Sequence, residues 1–143
     1  MSERKVPEKV IFLCTANSCR SQMAEGLARY LGKGIIEPYS AGLFPFHVQS
    51  RAIQVMKEIG IDISQQESKE IDSMLLNSMD IIITLCGHAD KSCPATPPGI
   101  KRIHWPIKDP VGTIGTEKEI MDAFRKARDE IKTRIQNLIK DLK

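Results

Sequence analysis

Residues 10–31 read VIFLCTANSCRSQMAEGLARYL, and the fold follows from how this stretch divides. Residues 10–14 are a short apolar run, as in a buried strand, whereas residues 20–31 place Met23, Leu27, Tyr30 and Leu31 near helical spacing. Between them a polar turn carries Cys14, Thr15, Ala16, Asn17, Ser18 and Cys19, closed by Arg20 and Ser21. Gly32 and Gly34 end the helix.

Downstream the alternation repeats. Residues 35–40 predict a second strand, and residues 48–59 a helix with Val48, Ala52, Val55, Met56 and Ile59 on one face and Gly60 as its stop. A shorter helix is expected over residues 69–77, capped by Ser68. Residues 81–85, continuously apolar, predict a central parallel strand covered on both faces. Residues 87–99 hold Pro94, Pro97 and Pro98 and are expected to form a loop, followed by a last strand over 100–104. Asp109, Pro110 and Gly112 mark the next loop. Thr116 and Glu119 then have capping-box spacing ahead of a long amphipathic helix carrying Ile120, Phe124, Ala127, Ile131, Ile135, Leu138 and Leu142.

Strands alternating with helices imply an α/β fold, a three-layer sandwich around a four-stranded parallel sheet with right-handed crossovers. In such sheets a ligand sits beyond the carboxyl ends of the strands, where the strand order reverses. Cys14, Cys86 and Asp109 each follow a predicted strand, so the topology is expected to gather them on one rim.

The chain has 143 residues, 41% hydrophobic and 27% charged, which suits one domain over residues 1–143 with a substantial core. A net charge of +3 with both signs interspersed gives no basic stripe for nucleic acid. The apolar run at residues 10–13 is far shorter than a signal-peptide core or a membrane span, so a cytoplasmic protein is expected. Cys14, Cys19, Cys86 and Cys93 would suit two structural disulfides in a secreted protein, but in a reducing cytosol paired cysteines belong to a redox cycle.

A loop wrapped at a helix N-terminus turns successive N–H groups inward, and the helix dipole adds positive potential. Thr15, Ala16, Asn17, Ser18, Cys19, Arg20 and Ser21 are therefore expected to bind a tetrahedral oxyanion. Arg20 supplies a planar fork that lysine cannot reproduce. The same field favours the thiolate of Cys14, to which Ser21 is placed to donate, while Asn17 shapes the loop. Taken singly, Cys86 reads as a core cysteine at a strand end and Cys93 as an incidental loop thiol. The spacing of the four cysteines is poor for zinc, and no metal site is expected.

Residues 14–26, CTANSCRSQMAEG, resemble the phosphate-binding loop of low-molecular-weight tyrosine phosphatases, especially their arsenate-reductase relatives. Tyr39-Ser40-Ala41-Gly42, Thr84-Leu85-Cys86-Gly87, Cys93-Pro94, His104-Trp105 and Asp109-Pro110 extend the likeness in consistent order. The resemblance implies a low-molecular-weight tyrosine phosphatase-like fold and a three-cysteine relay that reduces arsenate. Cys14 is implied as nucleophile, Cys86 as the second thiol, Cys93 as the third, and Asp109 as general acid. It further implies thioredoxin as reductant, which the Cys93 relay favours over a glutaredoxin system, and no cofactor, thiols being the electron donors; a tyrosine phosphatase using Cys14, Arg20 and Asp109 is the alternative, and a monomer is expected. Cys19 is expected to be structural. Val111 stands where related phosphatases place an aromatic residue. Some of the similar reductases bind potassium through residues corresponding to Asn17, Glu25, Ser40 and an aspartate; here Lys69 takes the last position and is expected to pair with Glu25. His88 and His104 are expected to be loop and strand-end polar residues rather than catalysts, and Trp105 to pack against the Asp109 loop.

Overall fold

The computed structural model describes residues 6–143. Its elements in chain order are β1 (Glu8–Cys14), α1 (Arg20–Leu31), β2 (Ile36–Gly42), α2 (Ser50–Lys57), α3 (Ser73–Asn77), β3 (Ile81–Thr84), α4 (Gly87–Ser92), β4 (Lys101–His104) and α5 (Glu117–Leu142). The strands form one parallel sheet in the order β2-β1-β3-β4. The order reverses between β1 and β3, and that is where the loops after both strands open.

Alternation along β1 sorts the core into two layers. Val10, Phe12 and Cys14 face the cluster built with α1, α2 and α5, whereas Ile11 and Leu13 face the one built with α3 and α4. β3 is buried at all four residues because both faces are covered. α5 buries Phe124, Ala127, Ile131, Ile135 and Leu138 at helical spacing and starts on a complete capping box between Thr116 and Glu119. Its buried Arg128 donates to the Val55 carbonyl at 2.7 Å and to Glu58 at 2.8 Å, tying α5 to α2.

Two local expectations need correction. Residues 87–92 are helical rather than loop: the prolines begin only at Pro94, and Ala89 is buried against the sheet. α3 starts at Ser73 with Asp72 as its cap, not near residue 69 with Ser68. Residues 69–71 are instead extended, since Gly42 N–H donates to the Lys69 carbonyl and Ile71 N–H to the Gly42 carbonyl, at 2.8 and 3.0 Å. Trp105 packs on Phe12 inside the core, ring centroids 6.1 Å apart.

Candidate functional site

β1 delivers Cys14 to the carboxyl end of the sheet, and the chain then wraps through residues 15–19 into α1. No side chain caps α1: Cys19, at the N-cap, makes no side-chain hydrogen bond there. The first turn of the helix is thus open to an anion. Asn17 is fully buried and is the only non-glycine residue with positive φ among those described, at 49°. Its side chain supplies what that backbone needs. Nδ2 donates to Ser21 Oγ at 2.8 Å, and Oδ1 accepts from the Lys69 N–H at 2.8 Å. Its carbonyl accepts from Gln22 Nε2 at 2.9 Å and from Ser68 Oγ at 2.7 Å.

Because Ser21 Oγ accepts from Asn17, its own proton is free to point at Cys14 Sγ, 2.9 Å away. Donation therefore runs from Asn17 through Ser21 to the sulfur. Gly42 lies under the loop: a Cβ there would sit 2.6 Å from the Asn17 nitrogen, so no side chain is tolerated. Ser68, Gln22 and Gly42 were not identified from sequence as loop supports. Gln22 and Gly42 lie inside the quoted motifs, but Gly42 meets the loop from a distant strand, and Gln22, besides reaching back to the nearby Asn17 carbonyl, bonds the Glu67 carbonyl 45 residues away.

Arg20 is buried, and its NH1 donates to the Ile107 carbonyl at 2.8 Å and the Leu85 carbonyl at 3.3 Å. These bonds aim the guanidinium across the loop, where NH2 lies 3.6 Å from half-exposed Asp109. Asp109 is itself oriented by the Val111 N–H at 3.0 Å. Cys14, Arg20 and Asp109 line one cavity of about 250 Å³ with Thr15, Ala16, Ser18, Cys19, Phe46, Gln49 and Val111. A larger cavity, about 520 Å³, lies at the other end of the sheet around Glu8, Trp105 and Arg134 and contains none of the cysteines. Cys19 is buried, and desolvation first, then the negative charges of Asp109 and Cys14, push its thiol well up. It therefore stays protonated beside Cys14.

Cys86 follows β3, the strand adjacent to β1. Leu13 pairs with Thr84, so Cys86 stands level with Thr15, and its Sγ is 3.2 Å from Thr15 Oγ1. Cys86 packs against both core clusters, while Cys14 belongs to the α1 side and Cys93 to the α4 side. Cys93 is half-buried at the end of α4, and burial pushes its thiol up against the opposing pull of Arg102. All four thiols are free. His88 and His104 are exposed, the latter bonded to Thr84.

Beside the loop, Glu25 is buried and accepts from Ser40. Lys69 Nζ stands 3.9 Å from Glu25, the expected pair, but Arg29, not singled out from sequence, makes the shorter contact at 2.6 Å. No cluster of three or more His, Cys, Asp or Glu side chains suited to a metal occurs among the described residues. No described helix is long and apolar enough to cross a membrane.

The family model for low molecular weight phosphotyrosine protein phosphatases matches residues 9–143. An arsenate reductase of Halalkalibacterium halodurans is 53% identical over 131 residues, covering 90% of this chain and 94% of that protein. A solved arsenate reductase in its phosphate-binding state superposes with a TM-score of 0.78 at 38% identity, over 95% of this chain and 99% of that one. A thioredoxin-dependent arsenate reductase of Corynebacterium glutamicum gives 0.77 at 27% identity, over 95% of this chain and 62% of that one.

Proposed function

The chain belongs to the low molecular weight phosphotyrosine protein phosphatase family, and we propose that it works there as an arsenate reductase. Relatives bearing that name cover nearly the whole chain, and the loop at residues 14–21 has the shape and donors for a tetrahedral oxyanion. The protein is read as a cytoplasmic monomer.

In the proposed reaction Cys14 Sγ attacks arsenic while Arg20 holds two oxygens, and Asp109 protonates the oxygen that leaves. Cys86 Sγ then attacks Cys14 Sγ. The sulfur–arsenic bond breaks with its electron pair left on arsenic, which departs as arsenite, and a Cys14–Cys86 disulfide remains. Cys93 attacks Cys86 in turn, freeing Cys14 and carrying the oxidation to a Cys86–Cys93 disulfide that thioredoxin reduces. Thiols supply both electrons, so the cycle needs no cofactor.

The observation that carries this reading is the position of Cys86. It stands level with the residue after Cys14 and reaches both faces of the sheet, the one cysteine able to pass oxidation between the other two. Adjacent strands lie about 4.8 Å apart, within the Cα separation a disulfide accepts. Cys86 and Cys93, by contrast, are held apart by a helix rising ~1.5 Å per residue, about 10 Å in all, so α4 must unwind for them to join.

The test is arsenate-dependent NADPH oxidation with thioredoxin and thioredoxin reductase, beside the Cys93→Ser variant. The native chain should turn over repeatedly, and the variant should stop after one arsenite per protein. Equal turnover by both would refute the relay. Slow hydrolysis of phenyl phosphates is expected alongside, because Phe46 and Val111 wall the same cavity over the same nucleophile.

A further inference from the structure

α4 holds the second and third sulfurs apart, and few contacts hold α4. Six residues are too few for a helix to persist in water on propensity alone. At its start the Cys86 thiol accepts from the Ala89 N–H at 3.4 Å. In its middle Asp90 Oδ1 accepts from the Thr84 hydroxyl at 2.9 Å, joining the helix to the end of β3. The competing Ile103 carbonyl is neutral and farther from that hydroxyl, at 3.5 Å.

The Thr84 proton is therefore committed to Asp90. His104 Nδ1, 2.9 Å from Thr84 Oγ1 and 3.2 Å from the Thr84 carbonyl, is the donor to both. Donation runs one way, from His104 through Thr84 to a carboxylate, which strengthens the last bond. Thr84 is 2% exposed, so water does not replace Asp90 cheaply.

The two fasteners differ in fate. When Cys86 attacks Cys14 its sulfur turns toward the loop and releases the Ala89 N–H, whereas the chemistry leaves the Thr84–Asp90 bond intact. We propose, building on the relay reading above, that the Thr84–Asp90 hydrogen bond is a latch that keeps α4 wound and so sets the rate and equilibrium of the attack by Cys93. Thr84 and Asp90 are positioning residues in this step. The Cys93 thiolate attacks Cys86 Sγ, the Cys86–Cys93 bond forms, the Cys14–Cys86 bond breaks and Cys14 leaves as a thiolate, with no net electron gain or loss. Asp90 restrains the step in a second way, since its charge adds to the burial that holds the Cys93 thiol up.

Two variants separate the latch from packing. Thr84→Val removes the hydroxyl and keeps the shape, whereas Thr84→Ser keeps the hydroxyl and gives up a methyl. The first measurement titrates the Cys86–Cys93 couple in dithiothreitol buffers, in a Cys14→Ser background and without arsenate. Loss of the latch destabilises the reduced, helical form. Thr84→Val should favour the disulfide about fivefold, moving the potential roughly 20 mV more negative, and Thr84→Ser should match the native residue.

The second measurement follows the Cys14–Cys86 disulfide after rapid mixing with arsenate, with Cys14 present. Its lifetime should fall about fivefold in Thr84→Val and not in Thr84→Ser. A native-like potential in Thr84→Val, or an equal shift in Thr84→Ser, overturns the latch. The expected shift in potential beside a native chain that forms neither arsenite nor a Cys14–Cys86 disulfide overturns the arsenate reading and leaves the latch standing.

Discussion

The loop at residues 14–21 and the helix α4 both present sulfur to the same rim, and they are held in opposite ways. In the loop, buried Asn17 makes four hydrogen bonds through its side chain and carbonyl, and Gly42 sits too close for any side chain. α4 is a turn and a half, begun on a weak thiol acceptor, packed on the sheet through Ala89 and hydrogen-bonded to it through one exposed aspartate. The contrast matches what the proposed relay asks of each sulfur. A nucleophile that meets a fixed anion gains from a rigid cradle, whereas sulfurs that must reach two partners in turn need a segment that comes undone at low cost.

The largest effect is expected from removing the sulfur proposed to move between partners. Cys86→Ser should abolish multiple-turnover arsenate reduction while leaving hydrolysis of a phenyl phosphate, which needs only the loop; loss of both activities would show that Cys86 supports the cradle itself. Next in size is Arg20→Lys. A point charge replaces a planar fork already aimed by the Leu85 and Ile107 carbonyls, so kcat/KM for arsenate should fall about a hundredfold with the fold intact by circular dichroism.

On the α4 side the expected effect is smaller and depends on pH. Burial raises the Cys93 thiol, so near neutrality most of it is protonated. The Cys14–Cys86 intermediate should then decay about tenfold faster per unit rise in pH until Cys93 is ionised. A flat profile would mean that unwinding of α4, rather than thiolate formation, limits the step. The smallest effect belongs to the rim of the cradle. Glu25 already has Arg29 at 2.6 Å and Lys69 at 3.9 Å, so potassium in place of sodium should change arsenate turnover less than about twofold. A large stimulation by potassium would show that Lys69 does not stand in for a cation.

The cradle was far more legible in the sequence than the helix, for a physical reason. The strand over residues 10–14, the helix from Arg20 and the polar residues between them declare themselves within one short window, and local periodicity is what sequence reveals best. The Thr116 and Glu119 capping box was legible for the same reason. α4 was masked by Pro94, Pro97 and Pro98, which dominate the composition of residues 87–99, while the contacts that wind it reach back to β3. Ser68 has the chemistry of a helix cap but spends its hydroxyl on the Asn17 carbonyl, a partner 51 residues away. The separation of Cys14 and Cys93 onto opposite faces of the sheet follows from alternation along β1 and the position of α4, neither of which cysteine spacing contains.

The proposed relay requires that Cys86 be the sulfur that meets Cys14. Mixing reduced Cys93→Ser protein with one equivalent of arsenate, blocking free thiols and mapping disulfides by peptide mass spectrometry decides this. One arsenite released per chain and a trapped Cys14–Cys86 disulfide are expected, with Cys19 recovered as a free thiol. A disulfide between Cys14 and Cys19, or arsenite formed with Cys86 still reduced, would contradict it.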